Sequence, residues 1–238
     1  MCIRDRFNGI HEGLVQSWKD IFPKKGEIYF AGALENNEDT GTLQYLASTA
    51  MEAGFSTRVL DMQALDLQNG RFFDPAGELV NRCFKLYPWE WMVDESPDGC
   101  LAEMEWLEPI WKLVMSNKAI LATLYELFPD SPYVLPCYLS RPRSGLFCKK
   151  PVFSREGHNV SVVDIRNWEE HVRIAETEGD YNTGAYVYQE YVEPTVYSGR
   201  YPVIGSWIIG GEAAGIGIRE NRMEVTDNLS EFVPHIIG

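Results

Sequence analysis

The stretch 27-EIYFAGALENNEDTGTLQYLASTAMEAGFSTRVLDM-62 decides the fold. Its opening, 27-EIYFAGAL-34, is almost wholly apolar and reads as a buried strand. The polar run 35-ENNEDTG-41 turns into a helix that continues through Ala53 and stops at Gly54. A second strand follows at 57-TRVLDM-62. Strand, helix and strand in that order predict a small parallel βαβ unit. Glu38 and Asp39 fall just beyond the C-terminal end of the first strand, where open α/β sheets place ligand loops. They could hold an amine or orient a thiol-peptide substrate. Helix capping by Asp39 or Thr40 is the more frequent explanation for such residues, and the two roles are compatible.

Upstream, Phe7, Ile10, Leu14, Trp18 and Ile21 lie at helical spacing within 7-FNGIHEGLVQSWKDIF-22. The first residues, MCIRDR, carry no periodicity. They read equally well as a genuine terminus or as the start of a truncated reading frame. Downstream, 67-LQNGRFFDPAGELVN-81 suggests a hairpin or loop decoration, and 81-NRCFKLYP-88 another strand. Trp89 and Trp91 open an aromatic patch, and these two with Trp106 and Trp111 read mostly as core. After the loop 94-DESPDG-99, helix is expected to resume at Leu101. In 117-NKAILATLYELF-128 the residues Ile120, Leu121, Leu124, Leu127 and Phe128 mark one apolar helix face.

The remainder reads as short strands: 146-LFCKKPVF-153, 159-NVSVVDI-165, 185-AYVYQEYV-192, 202-PVIGSWIIG-210 and 212-EAAGIGIRE-220. Their number and glycine-rich separators predict an antiparallel sheet. The acidic stretch 169-EEHVRIAETEGD-180 is expected to be a surface helix or loop. A parallel αβ part followed by a mainly antiparallel part makes a two-lobed α+β protein, with a cleft as the default ligand site. The expected divisions are an N-terminal helix region at 1–22, an αβ substrate-side subdomain at 23–110 and a nucleotide-binding region at 111–238.

The chain of 238 residues is 45% hydrophobic, with 35 acidic against 21 basic residues and a formal charge of -14. That charge argues against broad binding to nucleic acid or anionic membrane, though not against one local basic pocket. Five cysteines without a close pair suggest reduced thiols and a cytoplasmic setting. No apolar run approaches membrane-spanning length, and no signal-peptide h-region opens the sequence.

Against that background, 149-KKPVFSREGHNVSVVD-164 concentrates basic and small polar groups between two strands. Alternation points Lys149 and Lys150 to opposite faces. In the turn 154-SREGHN-159, Gly157 can offer backbone N–H groups to a phosphate, while Ser154 and Asn159 add side-chain donors. From the residues alone, an ordinary β-hairpin with surface lysines is the simpler reading, and no Walker A pattern is present. Lys118 opens the 117–128 helix against the helix dipole, so a bound anion or, more cheaply, solvent must compensate it. Arg219, at the edge of 215-GIGI-218, could clamp a phosphoryl or carboxylate group. A salt bridge to Glu220 or Glu224 would explain it equally well. The four histidines show no zinc spacing, and no nucleophile elbow occurs.

The phrases 116-SNKAILATLYELFPD-130, 149-KKPVFSREGHNVSV-162, 202-PVIGSWIIGGEAAGIGIRE-220 and 226-TDNLSEFVPH-235 resemble the synthetase domain of the glutathionylspermidine synthase family. The segments 36-NNEDTGTLQYLASTAMEAGFSTRVL-60 and 84-FKLYPWEWM-92 resemble it too, so the likeness runs in order over nearly the whole chain. It looks closest to the stand-alone synthetase-like branch, without an amidase half. The resemblance implies an ATP-grasp-like fold, with ATP and Mg²⁺ bound between two lobes. It also implies phosphorylation of a carboxylate and attack of an amine on the acyl phosphate. The acid would be a small peptide of the glutathione kind, and the amine remains open.

By the same resemblance, Lys118 and Lys150 correspond to ATP-phosphate lysines, and 154-SREGHN-159 to the mobile loop covering the phosphates. Gln189 joins Ser154, Gly157 and Asn159 in the nucleotide set. Arg219, with Lys150, corresponds to the groups at the reacting phosphoryl. Glu38 and Asp39 correspond to an acidic pair that binds the peptide substrate. Asp39 stands where the bifunctional enzyme has glutamate, which weakens the case for glutathione itself. In full-length relatives the magnesium ligands lie on a strand upstream of 7-FNGIHEGLVQSW-18, and nothing in this chain matches them. The chain is therefore expected to be a fragment that binds ATP weakly and turns over poorly. The competing reading is a catalytically idle ATP-grasp-like protein that binds a peptide or nucleotide.

Overall fold

The computed structural model describes residues 8–166, 171–181, 184–225 and 230–235. The opening MCIRDR, and residues 226–229 of the last quoted phrase, lie outside the described residues. The chain divides into two compact units. One takes the residues up to Leu113 together with Ser206–Ile216; the other takes Val114–Gly205 and Gly217 onward.

In the first unit, helix α1 (Ile10–Ile21) precedes strand β1 (Glu27–Gly32), helix α2 (Asn37–Glu52) and strand β2 (Ser56–Asp61). The small strands β3 (Asp66–Gln68), β4 (Arg71–Phe73) and β5 (Leu79–Val80) follow. Then come β6 (Arg82–Leu86), α3 (Trp89–Glu95), α4 (Pro97–Cys100) and β7 (Glu105–Leu107). The main sheet has the order β2-β1-β6-β7, every neighbouring pair parallel. The expected βαβ unit is thus its core, and the 67–81 decoration is the antiparallel sheet β3-β4-β5.

Why β1 is apolar after Glu27 follows from its two covered faces. Ile28 and Phe30 point to a cluster with Val15 and Trp18 of α1 and Leu43, Ala47 and Ala50 of α2. Tyr29 and Ala31 point the other way, to Phe72, Val80, Cys83, Trp89, Met92 and Trp106. Burying each such large side chain stabilises the fold by about 1.5–3 kcal/mol. Two of the polar groups inside are paired: Trp18 Nε1 donates to Thr49 Oγ1 at 2.8 Å, and Thr49 Oγ1 donates to the Leu46 carbonyl at 2.7 Å. On the other face, Asp74 accepts from Tyr29 Oη at 3.2 Å and from Arg58 Nη1 at 2.7 Å.

In the second unit, helices α5 (Leu113–Ser116, starting at the boundary) and α6 (Ala119–Leu127) precede strands β8 (Cys137–Tyr138), β9 (Gly145–Pro151), β10 (Ser161–Ile165), β11 (His171–Glu176) and β12 (Tyr186–Glu190). These strands form one antiparallel sheet of order β11-β10-β9-β12-β8. Helix α6 packs Ala122 against Cys137 and Val187 on one face, and Phe147, Val163 and Ile165 cluster on the other. Strands β13 (Tyr201–Ile209), β14 (Glu212–Asn221) and β15 (Glu231–Val233) make a three-stranded sheet.

The tip of the β13–β14 hairpin belongs to the first unit. There the Gly9 N–H donates to the Ala214 carbonyl at 2.8 Å. The Asn8 amide brackets Ile216, accepting from its N–H at 2.9 Å and donating to its carbonyl at 3.1 Å. Ile209 closes over Gly13 of α1.

Four sequence expectations are corrected. Helix does not resume at Leu101; the loop before it is the helical part, as α3 and α4, and Leu101 is 83% exposed. Tertiary pairing captures the next residues instead. The Glu105 N–H donates to the Asn81 carbonyl at 2.8 Å, and Trp106 is buried against Phe72 and Trp89. The 169–180 stretch contains strand β11, an edge strand whose charged residues guard it against further pairing. On α6 the contact face is Ala122 with Ala119, Leu121 and Tyr125; Leu127 and Phe128 are exposed. Of the four tryptophans read as core, Trp89 and Trp106 are buried and Trp91 and Trp111 are not.

Candidate functional site

Strand β9 carries the lysine pair, and its register fixes where each side chain goes. Cys148 lies opposite Val162 on β10 and Gln189 on β12, and Lys150 lies opposite Val187. Lys149 lies opposite Ser161 and Tyr188. The two lysines therefore serve different faces, as alternation requires. On its face, Lys150 Nζ donates to Gln189 Oε1 at 2.7 Å.

Lys118 arrives on the same face from the start of α6. Its backbone N–H donates to the Val152 carbonyl at 2.8 Å, and its Nζ donates to the Ser154 carbonyl. The lysine that opposes the helix dipole is thus half-buried and held by a carbonyl, so the solvent-exposed explanation does not apply. The convergence leaves a cleft of about 400 Å³ bordered by Lys118, Lys150, Ser154, Arg155, Gly157 and Gln189. Val160, Val162, Leu135 and Val192 give it apolar walls. Cations beside an apolar slot suit a ligand with a flat ring and an anionic tail.

The 154–159 turn has a defined shape. The His158 N–H donates to the Arg155 carbonyl at 2.9 Å, and the two residues between them, Glu156 and Gly157, have φ of 57° and 73°. Positive φ at both central positions is the primed hairpin pattern, which glycine adopts without steric cost. The turn is tied to the segment after β11. Asn159 Oδ1 accepts from the Tyr181 N–H at 2.7 Å, and Thr177 Oγ1 donates to the Gly157 carbonyl. Gly179 approaches so closely that a Cβ there would lie 2.4 Å from the His158 Cβ. Asn159 is therefore a fastener of the turn and does not border the cleft.

Sequence reading did not single out Arg155, Cys148 or Tyr191, and took Glu224 only as a possible salt-bridge partner of Arg219; all four border the cleft. Arg155 was legible as the cation inside the polar turn. Tyr191 and Glu224 were not, because only folding joins them: Tyr191 Oη donates to Glu224 Oε2 at 3.1 Å. Burial, then that hydrogen bond, pushes the Tyr191 phenol up to about 12. Burial likewise raises the Cys148 thiol, against the opposing pull of Lys150.

Arg219 lies on β14, exposed, with its guanidinium carbon 5.7 Å from the Phe232 ring centroid. It does not border the cleft. Glu38 and Asp39 belong to the first unit, in the first turn of α2. The cap is Asn36, whose Oδ1 accepts from the Glu38 N–H at 2.9 Å, so neither Asp39 nor Thr40 performs it. Asp61 steadies the preceding loop by accepting from the Leu34 N–H at 3.0 Å. The pair sits beyond the carboxyl end of β1, beside the point where the sheet order reverses between β1 and β6. Among the described residues, no group of three or more His, Cys, Asp and Glu side chains is placed to hold a metal ion. Among the described residues, no helix is long and apolar enough to cross a membrane.

An αβ unit and an antiparallel sheet bearing a lysine-lined cleft define an ATP-grasp-like α+β protein. The family model for the glutathionylspermidine synthase preATP-grasp domain matches residues 2–238. The chain belongs to the glutathionylspermidine synthase family. A candidate acid–amine ligase of Haemophilus influenzae is 35% identical over 244 residues, covering 98% of this chain and 62% of that protein. The bifunctional glutathionylspermidine synthetase/amidase of Escherichia coli is 26% identical over 232 residues, covering 84% of this chain and 36% of that protein. The chain thus spans less than two thirds of either relative. A solved structure of a candidate γ-glutamylcysteine synthetase from Methylobacillus flagellatus KT shares the fold, with a TM-score of 0.58 and 9% identity. It covers 94% of this chain and 72% of that one.

Proposed function

We propose that this chain carries the nucleotide cleft of an ATP-dependent carboxylate–amine ligase. A carboxylate oxygen of the acid attacks the γ-phosphorus and ADP departs, leaving an acyl phosphate. The amine nitrogen then attacks the acyl carbon, phosphate leaves and the nitrogen loses a proton, giving the amide. The observation that carries this reading is the convergence of Lys118 and Lys150, from a helix and a strand, on one cleft beside the 154–159 turn.

In this scheme the two lysines neutralise the phosphate tail, as point charges fixed by the Ser154 carbonyl and Gln189. Ser154 and Gly157 of the turn cover the phosphates and exclude water from the acyl phosphate. Asn159 contributes by holding that turn in shape. Arg219 keeps its role beside the reacting phosphoryl on the strength of family likeness alone. Mg²⁺ enters on the same ground; the described residues do not assemble a site for it, and no step is built on it. Glu38 and Asp39 would hold the cationic end of a peptide or amine. The family description favours a glutathione-like acid and a polyamine.

The test is release of ATP γ-phosphate by the protein from its full reading frame, with glutathione and a panel of amines. Release that requires both acid and amine, and that falls in Lys150→Ala, is expected. ATP binding without release in any combination would replace the ligase with a nucleotide-binding protein.

A further inference from the structure

The face of the β9–β10–β12 sheet turned away from Lys150 holds a second concentration of positive charge. Lys149 on β9, Arg173 on β11 and Arg141 from the segment between β8 and β9 border one small pocket of about 140 Å³. Its apolar walls are Val163 and Ile165, 4% and 1% exposed, and Ser161 and Tyr188 bring hydroxyl groups to it. We propose that this pocket is a separate binding site for a single tetrahedral oxyanion of the phosphate class, either inorganic phosphate or a phosphomonoester.

Several observations support it independently of the ligase reading. Three cations from three segments meet in a chain whose formal charge is -14, so their grouping is not a product of a basic composition. Glu176 pairs with Arg173 and offsets part of that charge. Within the cluster, burial, then the neighbouring Arg173, lowers the Lys149 ammonium, and Glu176 opposes them. An anion would relieve that repulsion, and the apolar walls would strengthen its attraction by excluding water. Size sets the ligand class. The Lys150 cleft is about 400 Å³, within the range of small-molecule sites; this pocket, at about 140 Å³, suits one oxyanion and not a nucleotide. The Lys149 ammonium is already positioned, 3.9 Å from the Tyr186 ring centroid.

The experiment is calorimetric titration of the full chain with inorganic phosphate and, separately, methyl phosphate, with a non-hydrolysable ATP analogue saturating the Lys150 cleft. Binding is expected to persist there and to weaken at least tenfold in Lys149→Met and in Arg141→Gln, while affinity for the ATP analogue stays within twofold. The Arg141 change lies outside any strand, so it tests the site even if Lys149→Met disturbs the sheet. Tighter binding of methyl phosphate would identify a phosphomonoester, and tighter binding of inorganic phosphate the free anion. Absence of binding under the analogue, or binding lost only in Lys150→Ala, would overturn the proposal without touching the ligase reading. Loss of ATP-analogue binding in Lys150→Ala tests that reading separately.

Discussion

A single step along β9, from Lys149 to Lys150, moves a cation from one face of a sheet to the other. Lys150 is set by its bond to Gln189, so its truncation removes a placed charge. With hydrogen bonds to charged groups contributing about 1.5–3 kcal/mol, Lys150→Ala should weaken ATP by roughly one to two decades, and titration of a fluorescent ATP analogue would show it. Gln189→Leu should cost less, because it leaves the charge in place. Asp74 makes a different prediction. The backbone N–H of Glu78 first, then that of Ala76, the Tyr29 hydroxyl and Arg58, hold its carboxyl below the usual carboxylate range against the cost of burial. The folded state therefore binds this proton less tightly than the unfolded chain does. The resulting stability is present above roughly pH 4 and is lost as pH falls through the lower folded value. Asp74→Asn should make acid unfolding followed by circular dichroism less steep; an unchanged acid limb would remove Asp74 from that account.

At the scale of elements, α2 depends on its cap. Asn36→Ala leaves the Glu38 and Asp39 N–H groups without their side-chain acceptor and should cost about 0.5–2 kcal/mol in urea denaturation. Asn36→Asp should retain most of it. Gly179→Ala tests the fastening of the 154–159 turn, since the added methyl meets His158. Overpacking of this kind costs about 1–3 kcal/mol, and a loss of ATP affinity larger than the loss of stability would show that the turn serves the cleft. Periodicity made the βαβ core, α6 and the lysine strand legible, because each carries its pattern locally. Strand β7 was hidden because its partner β6 lies beyond two intervening helices; β11 pairs with β10, the strand just before it, and was hidden by the charged residues it carries. The cleft was half legible. Its cations stood in recognisable phrases, whereas the Tyr191–Glu224 contact exists only after folding.

At the scale of the molecule, the two units have separate cores, so a ligand of one should not protect both alike. Amide hydrogen exchange with a non-hydrolysable ATP analogue should show slower exchange at 148–162 and 187–192, with β1 and β2 unchanged. Equal protection of β1 and β2 would mean that the nucleotide is held differently from the cleft described above. The family resemblance was legible across nearly the whole chain, since its phrases are contiguous and lie in order. The return of residues 206–216 to the first unit was not, because the β13–β14 hairpin looks locally like any other.

That return governs how the chain can be dissected. An expression fragment ending at Leu113 would omit the carbonyl that receives the Gly9 amide, both partners of Asn8 and the Ile209 that covers Gly13. A fragment starting at Val114 would carry the hairpin tip with nothing to rest on. Isolating either half as an independent folding piece calls for splicing: residues 206–216 grafted behind Leu113 through a short linker, and a tight turn joining Gly205 to Gly217 in the remainder.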